Sequence, residues 1–409
     1  MSDKKAWDSY LRSRQYLASG SSTNSKIPLF TGVEPASIVK GKGCRVWDAD
    51  GNEYIDFRNG LGPVTLGYGV PEIDEAIKMQ LQNGVVFGHP HPLEGEVAEM
   101  LVNVVPCAQR VRFLKTGGEA IAACIKIARN ATNRDVILQC GYNGWLNSLS
   151  DEGFRPSGLI NSNPTKGVPA SLAALHHMMP WGKEDVWENV FRKIGDKIAA
   201  VVIACDYSNM SEGLHFLPAM RRLTQQYGAL MIMDEIVTGF RLAIGGAHEY
   251  FNFMPDMAVF AKGISNGMPL SVYTGRAELL DSAEGLGISS TFGGETLSLA
   301  AAKVCIRYYQ DNKVIENLWK TGKKIWPEVN ALFGRYGIGA QVKGFEVCPL
   351  IEFASNSLAK LFFCACYKYG VSLYNVSYVN YAHKENDIAE ALERMECAIK
   401  EMATSGNNP

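Results

Sequence analysis

The 409-residue chain has little that would commit it to a membrane, a nucleic acid or a metal. Its longest wholly apolar run, Ile198 to Cys205, falls far short of the roughly 20 residues that a bilayer-crossing helix needs, and reads as a buried strand. Lysine plus arginine number 40 against 42 aspartates plus glutamates, so no basic excess draws the chain to nucleic acid or anionic lipid. The first residues, Met1-Ser-Asp-Lys-Lys, turn polar at once, and no secretory leader is expected. The ten cysteines are scattered; only Cys364 and Cys366 lie close together, and C-x-C alone is poor metal spacing. His176-His177 has no third ligand nearby, and His89 and His91 fall in a proline-rich loop that reads as surface. Reduced thiols in a cytoplasmic compartment, and no metal, are expected. There is no fixed-period repeat, and no low-complexity block beyond the polar tail Ser405–Pro409.

What the chain does have is alternation. Short β-rich runs at Val111 to Lys115, Val136 to Cys140, Ala199 to Cys205, Ala229 to Asp234 and Met257 to Lys262 are separated by helical patterns such as Glu119 to Asn130 and Leu217 to Tyr227. Runs like Ala229-Leu-Met-Ile-Met are apolar on both faces, as central strands of a helix-covered sheet should be. Strand and helix in turn predict an α/β fold with a mostly parallel central sheet. Gly41 to Asp56 reads as a β-hairpin turning at Asp50-Gly51. Past Ser298 the chain turns helical, and it closes with a helix around Ile388 to Met402, Phe362 and Phe363 lying in a further core helix. The expected division is a large domain over 59–300, with residues 1–58 and 301–409 joining in a smaller α+β domain.

Ligands of open α/β sheets sit at the carboxyl ends of the strands. Thr116-Gly117-Gly118-Glu119 ends one strand and opens a helix, so backbone N–H groups and the helix N-terminus could hold an anion there; a plain tight turn would read the same way. Asp234 ends a strongly apolar strand, where a carboxylate is expensive unless something neutralises it. Lys262 follows another apolar run; desolvated there, its amine would lose basicity and could attack a carbonyl. A phosphate cradle, an Asp and a Lys on separate strand ends suggest a cofactor with a phosphate, an aldehyde and a basic ring nitrogen. Tyr142 offers that ring a flat face.

Met233-Asp-Glu-Ile-Val-Thr-Gly-Phe-Arg241 resembles the D-E-V-x-T-G-F-R signature of class III pyridoxal-phosphate-dependent aminotransferases, and Ala261-Lys-Gly-Ile-Ser-Asn-Gly-Met-Pro269 resembles their lysine motif. Thr116-Gly-Gly-Glu-Ala120 is similar to their S-G-T-E-A phosphate loop, Gly141-Tyr-Asn-Gly144 to their G-Y-H-G turn, and Ser290-Thr-Phe-Gly-Gly294 to their G-T-x-x-G segment. Order and spacing agree from about residue 19 to residue 305. Gly60-Leu-Gly-Pro63 and Gly167-Val-Pro169 resemble the glutamate-1-semialdehyde aminomutase branch. The resemblance implies fold type I and pyridoxal 5'-phosphate as cofactor. It implies that Lys262 bonds the cofactor aldehyde and moves protons, and that Asp234 pairs with the pyridinium nitrogen. Tyr142 and Ile236 would cover the two ring faces. Thr116, Gly117 and Gly118 would hold the phosphate, helped by Thr291 of a second copy, which implies a homodimer with shared active sites.

Departures from the branch bear on the substrate. Its carboxylate-binding arginine aligns with Lys26, which lacks a planar bidentate fork, and its bulky tryptophan aligns with Leu61. The histidine of the G-Y-H-G turn is Asn143, and Glu-Pro is replaced by Cys205-Asp206. These changes argue for an aminotransferase that takes nitrogen from an amino-acid donor to an aldehyde or ketone acceptor, such as a sugar or an aminoglycoside-like ring. The competing reading is an isomerase, a glutamate-1-semialdehyde 2,1-aminomutase-like enzyme or an amino-carbon epimerase, using the same lysine and aspartate.

Overall fold

The structure is a computed structural model that describes residues 4–146 and 167–405; Met1–Asp3 and the tail beyond Ser405 lie outside the described residues. The chain divides into two compact units, Pro71–Ile315 and Met1–Val70 with Glu316–Pro409.

The first of these carries a seven-stranded sheet built from β1 (Arg110–Leu114), β2 (Val136–Cys140), β3 (His176–Met178), β4 (Ile198–Ile203), β5 (Leu230–Asp234), β6 (Met257–Phe260) and β7 (Ser271–Gly275). Their spatial order is β1-β7-β6-β5-β4-β2-β3. β7 pairs antiparallel with both β1 and β6, and the other pairings are parallel. This is the α/β architecture of fold type I. All residues of β2, β4, β5 and β6 are buried, which is why these runs carry almost no polar side chains. Helix Gly117–Thr132 covers the sheet with Ile121, Cys124, Ile125 and Ala128 on its buried face. It starts in a capping box, Thr116 with Glu119, and stops where Asn133 turns left-handed at φ 51°.

The other unit holds a four-stranded sheet in which Ile38–Lys42, Arg45–Asp48 and Glu53–Asp56 form an antiparallel meander, and Val371–Ser372 adds parallel to its last strand. The single hairpin expected over Gly41 to Asp56 is thus a three-stranded meander, with an extra turn at Gly43 (φ 59°).

The units divide at Val70 and Ile315, later than the boundaries after 58 and 300 read from the sequence. Tyr68 explains the first difference: its backbone bridges Gly43 and its hydroxyl donates to Asp56 at 2.8 Å. Helix Thr296–Asp311 explains the second, since it packs on helices Pro71–Leu81 and Pro92–Val104. His91 is the N-cap of the latter helix, its Nδ1 accepting from the Leu93 N–H at 3.2 Å. No helix among the described residues is long and apolar enough to cross a membrane, and none of the ten cysteines is in a disulfide.

Candidate active site

β5 and β6 are neighbours, with Asp234 opposite Val259, so the two strands deliver Asp234 and Lys262 to the same edge of the sheet. Asp234 is only 6% exposed. Its Oδ1 accepts from the Ile236 N–H at 3.0 Å and its Oδ2 from Asn143 Nδ2 at 3.1 Å, which fixes the plane of the carboxylate. Burial pushes its pKa up to about 6, against the pull of those two donors and of the Lys262 charge.

Lys262 opens a short 3₁₀ turn, Lys262–Ser265, and sits at φ 51°, an uncommon backbone for a side chain of this size. The residue as a whole is partly covered, yet its ammonium is enclosed deeply enough that its pKa falls to about 8. Asp234 opposes that fall and Arg241, itself buried, adds to it. The amine therefore gives up its proton far more readily than an exposed lysine, although pH 7 still protonates most of it.

Three further pieces close on this pair. A Cβ on Gly117 would lie 2.2 Å from Ile236 Cδ1, so the glycine lets the helix N-terminus pack directly on the isoleucine that follows Asp234. A Cβ on Gly144 would lie 3.3 Å from Gly118 Cα, which seats the Gly141–Gly144 turn on the same N-terminus. Gly141 holds φ 74° with the Ala204 carbonyl 2.7 Å from where its Cβ would be, a position that only glycine fills without strain.

At the helix start the Thr116 N–H donates to Glu119 Oε2 at 2.7 Å, and the Thr116 hydroxyl donates to the same oxygen at 3.0 Å. The N–H groups of Gly117 and Gly118 belong to the first turn, which has no intrahelical acceptors. Lys115 makes a 2.8 Å ion pair with Glu295, holding the helix that follows the Ser290–Gly294 turn against the end of β1. Burial opposes the Glu295 charge, but Lys115 and Ser298 together hold its carboxyl below the usual range.

Lys262, Asp234, Ile236, Gly117, Gly118 and the Tyr142 turn thus share one site; Tyr142 is 58% exposed and Thr291 is exposed. Lys26 and Leu61 belong to the other unit, where both line a cavity of about 380 Å³ together with Arg58, Asp56 and Tyr68. Arg58 donates to the Ser25 carbonyl at 2.7 Å and pairs with Glu34 at 2.8 Å, fixing the turn that carries Lys26. Sequence reasoning registered Asn143 only as a departure and missed its bond to Asp234. It also missed the buried partners of Glu235, although two adjacent acids ending an apolar strand signal that counter-groups are needed.

The arrangement fits the cofactor that its chemistry suggests. An enclosed amine can meet an aldehyde, a carboxylate fixed by two donors can meet a protonated ring nitrogen, and a glycine-rich helix N-terminus can meet a phosphate. Asn143 Oδ1 is buried and without a hydrogen bond among the described residues, a polar atom left over for a ligand.

The chain belongs to the class-III aminotransferase family, whose sequence profile matches residues 31–399. It is 32% identical to a glutamate-1-semialdehyde 2,1-aminomutase of Persephonella marina, over 98% of this chain and all of that one. Among solved structures it is similar to the FumI protein of Sphingopyxis sp. MTA144 in a PLP-bound form, with TM-score 0.90 and 24% identity over 99% of this chain and 98% of that one. It is also similar to a glutamate-1-semialdehyde aminomutase of Pseudomonas aeruginosa PAO1, with TM-score 0.86 and 18% identity over 98% and 95%. At those identities the two structures establish a shared fold.

Proposed function

We propose that this chain is a pyridoxal-phosphate enzyme that moves an amino group within one small amino-carbonyl molecule, as an aminomutase does. The observation that carries the chemistry is the meeting of an enclosed Lys262 and a doubly hydrogen-bonded Asp234 at adjoining strand ends. The full-length relative named as a 2,1-aminomutase favours the intramolecular reading over the sugar aminotransferase expected from Lys26 and Leu61.

Bound, the cofactor would supply an aldehyde for amines and a cationic ring that draws electron density from the carbon next to nitrogen. Lys262 Nζ would attach it, and would take a proton from, or return one to, the substrate carbon that bears nitrogen. A pKa of about 8 suits both tasks, because the amine can take and return a proton near neutrality. Asp234 would hold the proton on the ring nitrogen, kept in plane by Asn143 and the Ile236 N–H. The Gly117 and Gly118 N–H groups and the Thr116 hydroxyl would hold the phosphate. Ile236 and Tyr142 would wall the ring, and the exposed Thr291 would reach the phosphate of a second copy. A reducing, cytoplasmic setting accords with ten cysteines of which none is in a disulfide.

A second reading, transfer to a bulkier carbonyl acceptor, is favoured by Lys26 and Leu61. One ammonium gives a carboxylate a single contact, and leucine leaves more room than tryptophan on the cavity wall. Incubation of the holoenzyme with glutamate-1-semialdehyde, without other donor or acceptor, separates the two. The aminomutase reading expects the amino-shifted isomer with no keto acid released. An absolute requirement for an external amino acid, with its keto acid appearing in step with product, would transfer the case to the aminotransferase.

A further inference from the structure

β5 delivers two carboxylates in succession, and the reading above uses only the first. Glu235 has no exposed surface at all. It accepts the Ala247 N–H at 2.7 Å, the His248 N–H at 2.9 Å and the Thr238 hydroxyl, and its Oε1 lies 3.1 Å from His248 Nδ1. That imidazole is 1% exposed and is walled by the rings of Phe253 and Phe260. Its other titratable neighbour is Cys107, from the segment that precedes β1. Nε2 makes no hydrogen bond of good geometry there, although the thiol is near enough to favour a charged ring. Burial works to keep the imidazole neutral, but Cys107 and Glu235 together overcome it and push its pKa up to about 10.

Asp234 feels this pair. An ionised Glu235 one residue away raises the Asp234 pKa, whereas Lys262 lowers it. A site that must hold a protonated ring nitrogen works best when Asp234 keeps its charge, so an uncompensated Glu235 beside it is a liability.

We propose that His248 is a positioning residue for the cofactor: its imidazolium cancels the Glu235 charge, so that Asp234 stands as the one net anion at that strand end. The inference rests on the reading of Asp234 as the partner of the ring nitrogen. The charged and titratable groups involved are Asp234, Lys262 and Arg241 toward the cofactor, and Glu235 and Cys107 around the imidazole.

The test is the affinity of the cofactor-free protein for pyridoxal phosphate, read by tryptophan fluorescence and visible absorbance between pH 5 and pH 8. In the parent protein affinity should weaken on the acid side as Asp234 takes up its proton. His248→Phe should move that acid limb upward by about one pH unit, which is about tenfold weaker binding on the limb. Adding Glu235→Gln to His248→Phe should move it back, and Glu235→Gln alone, which leaves the imidazolium unopposed, should move it downward. An acid limb that stays put in His248→Phe, or that shifts equally in the single and double variants, overturns the proposal. Should His248→Phe fail to fold, an unmoved limb in Glu235→Gln overturns it instead. Asp234→Asn separates the two layers: if it leaves both affinity and pH profile intact, the reading of Asp234 fails, whatever His248 does.

Discussion

Lys262 works against the fold that houses it. Its pKa drops from 10.5 in the open chain to about 8, so the unfolded state binds the extra proton between those values. Stability of the cofactor-free protein should therefore rise as pH climbs from about 8 to 10.5, and below 8 the full penalty of enclosing the ammonium applies. Lys262→Met, which removes the charge and keeps the stem, should stabilise the cofactor-free protein at pH 7 by about 1–2 kcal/mol while abolishing turnover. Urea denaturation of both forms at pH 7 and pH 10 checks this, and the gap should narrow at the higher pH. Leu61 shows the same tension in the other unit. Asn59, Gly60, Leu61 and Gly62 all have positive φ, and the leucine at 74° is strained where its glycine neighbours are not. Leu61→Gly should raise stability by about 1 kcal/mol, measurable as a Tm increase. Lys262 and Asp234 stand out in the sequence because charge after an apolar run is anomalous. Asn143 and His248 do not, because Asn143 meets Asp234 only where separate strand ends converge and His248 meets Glu235 only through the turn that brings helix Ala247–Tyr250 back, which no local pattern encodes.

The element that matters most to the site is helix Gly117–Thr132, whose first turn both starts the helix and faces the phosphate position. Thr116 serves as N-cap and Glu119 returns the contact, so the start was readable in the Thr-x-x-Glu spacing. Thr116→Ala should lower stability by about 1 kcal/mol through the lost cap. It should also weaken pyridoxal phosphate binding by more than the loss of stability explains; equal binding in titrations of Thr116→Ala and parent would limit the hydroxyl to capping. Strands β2, β4, β5 and β6 were legible as unbroken apolar runs. β3 and β7 were not. β3 is three residues long and carries two histidines, one of them bonded to Arg129 at 3.0 Å. β7 reads Ser-Val-Tyr-Thr-Gly, polar enough to pass for a loop, yet all five residues are buried because it lies between β1 and β6. Burial of that kind is a property of sheet order.

On the scale of the whole molecule, one unit is continuous in the chain and the other is assembled from both ends. The alternation of strand and helix announced the continuous one. The joining of the ends rests on what the alternating stretch leaves over, and the contacts that effect it span some 300 residues. Val371 pairs with Ile55, Arg45 reaches Asp387 and Glu390, and Asn380 donates to Asn59 at 2.8 Å. A chain truncated after Ile315 should therefore keep slow hydrogen exchange in β2, β4 and β5, while Glu53–Asp56 exchanges freely. Synthesis meets the same dependence. The ribosome releases the amino-terminal meander long before its partners, and at about 5–20 residues per second the interval is on the order of tens of seconds. For that time a strand edge stands open to any neighbouring nascent chain, so yield in a crowded cell should depend on chaperone supply more steeply than the finished protein's stability would suggest.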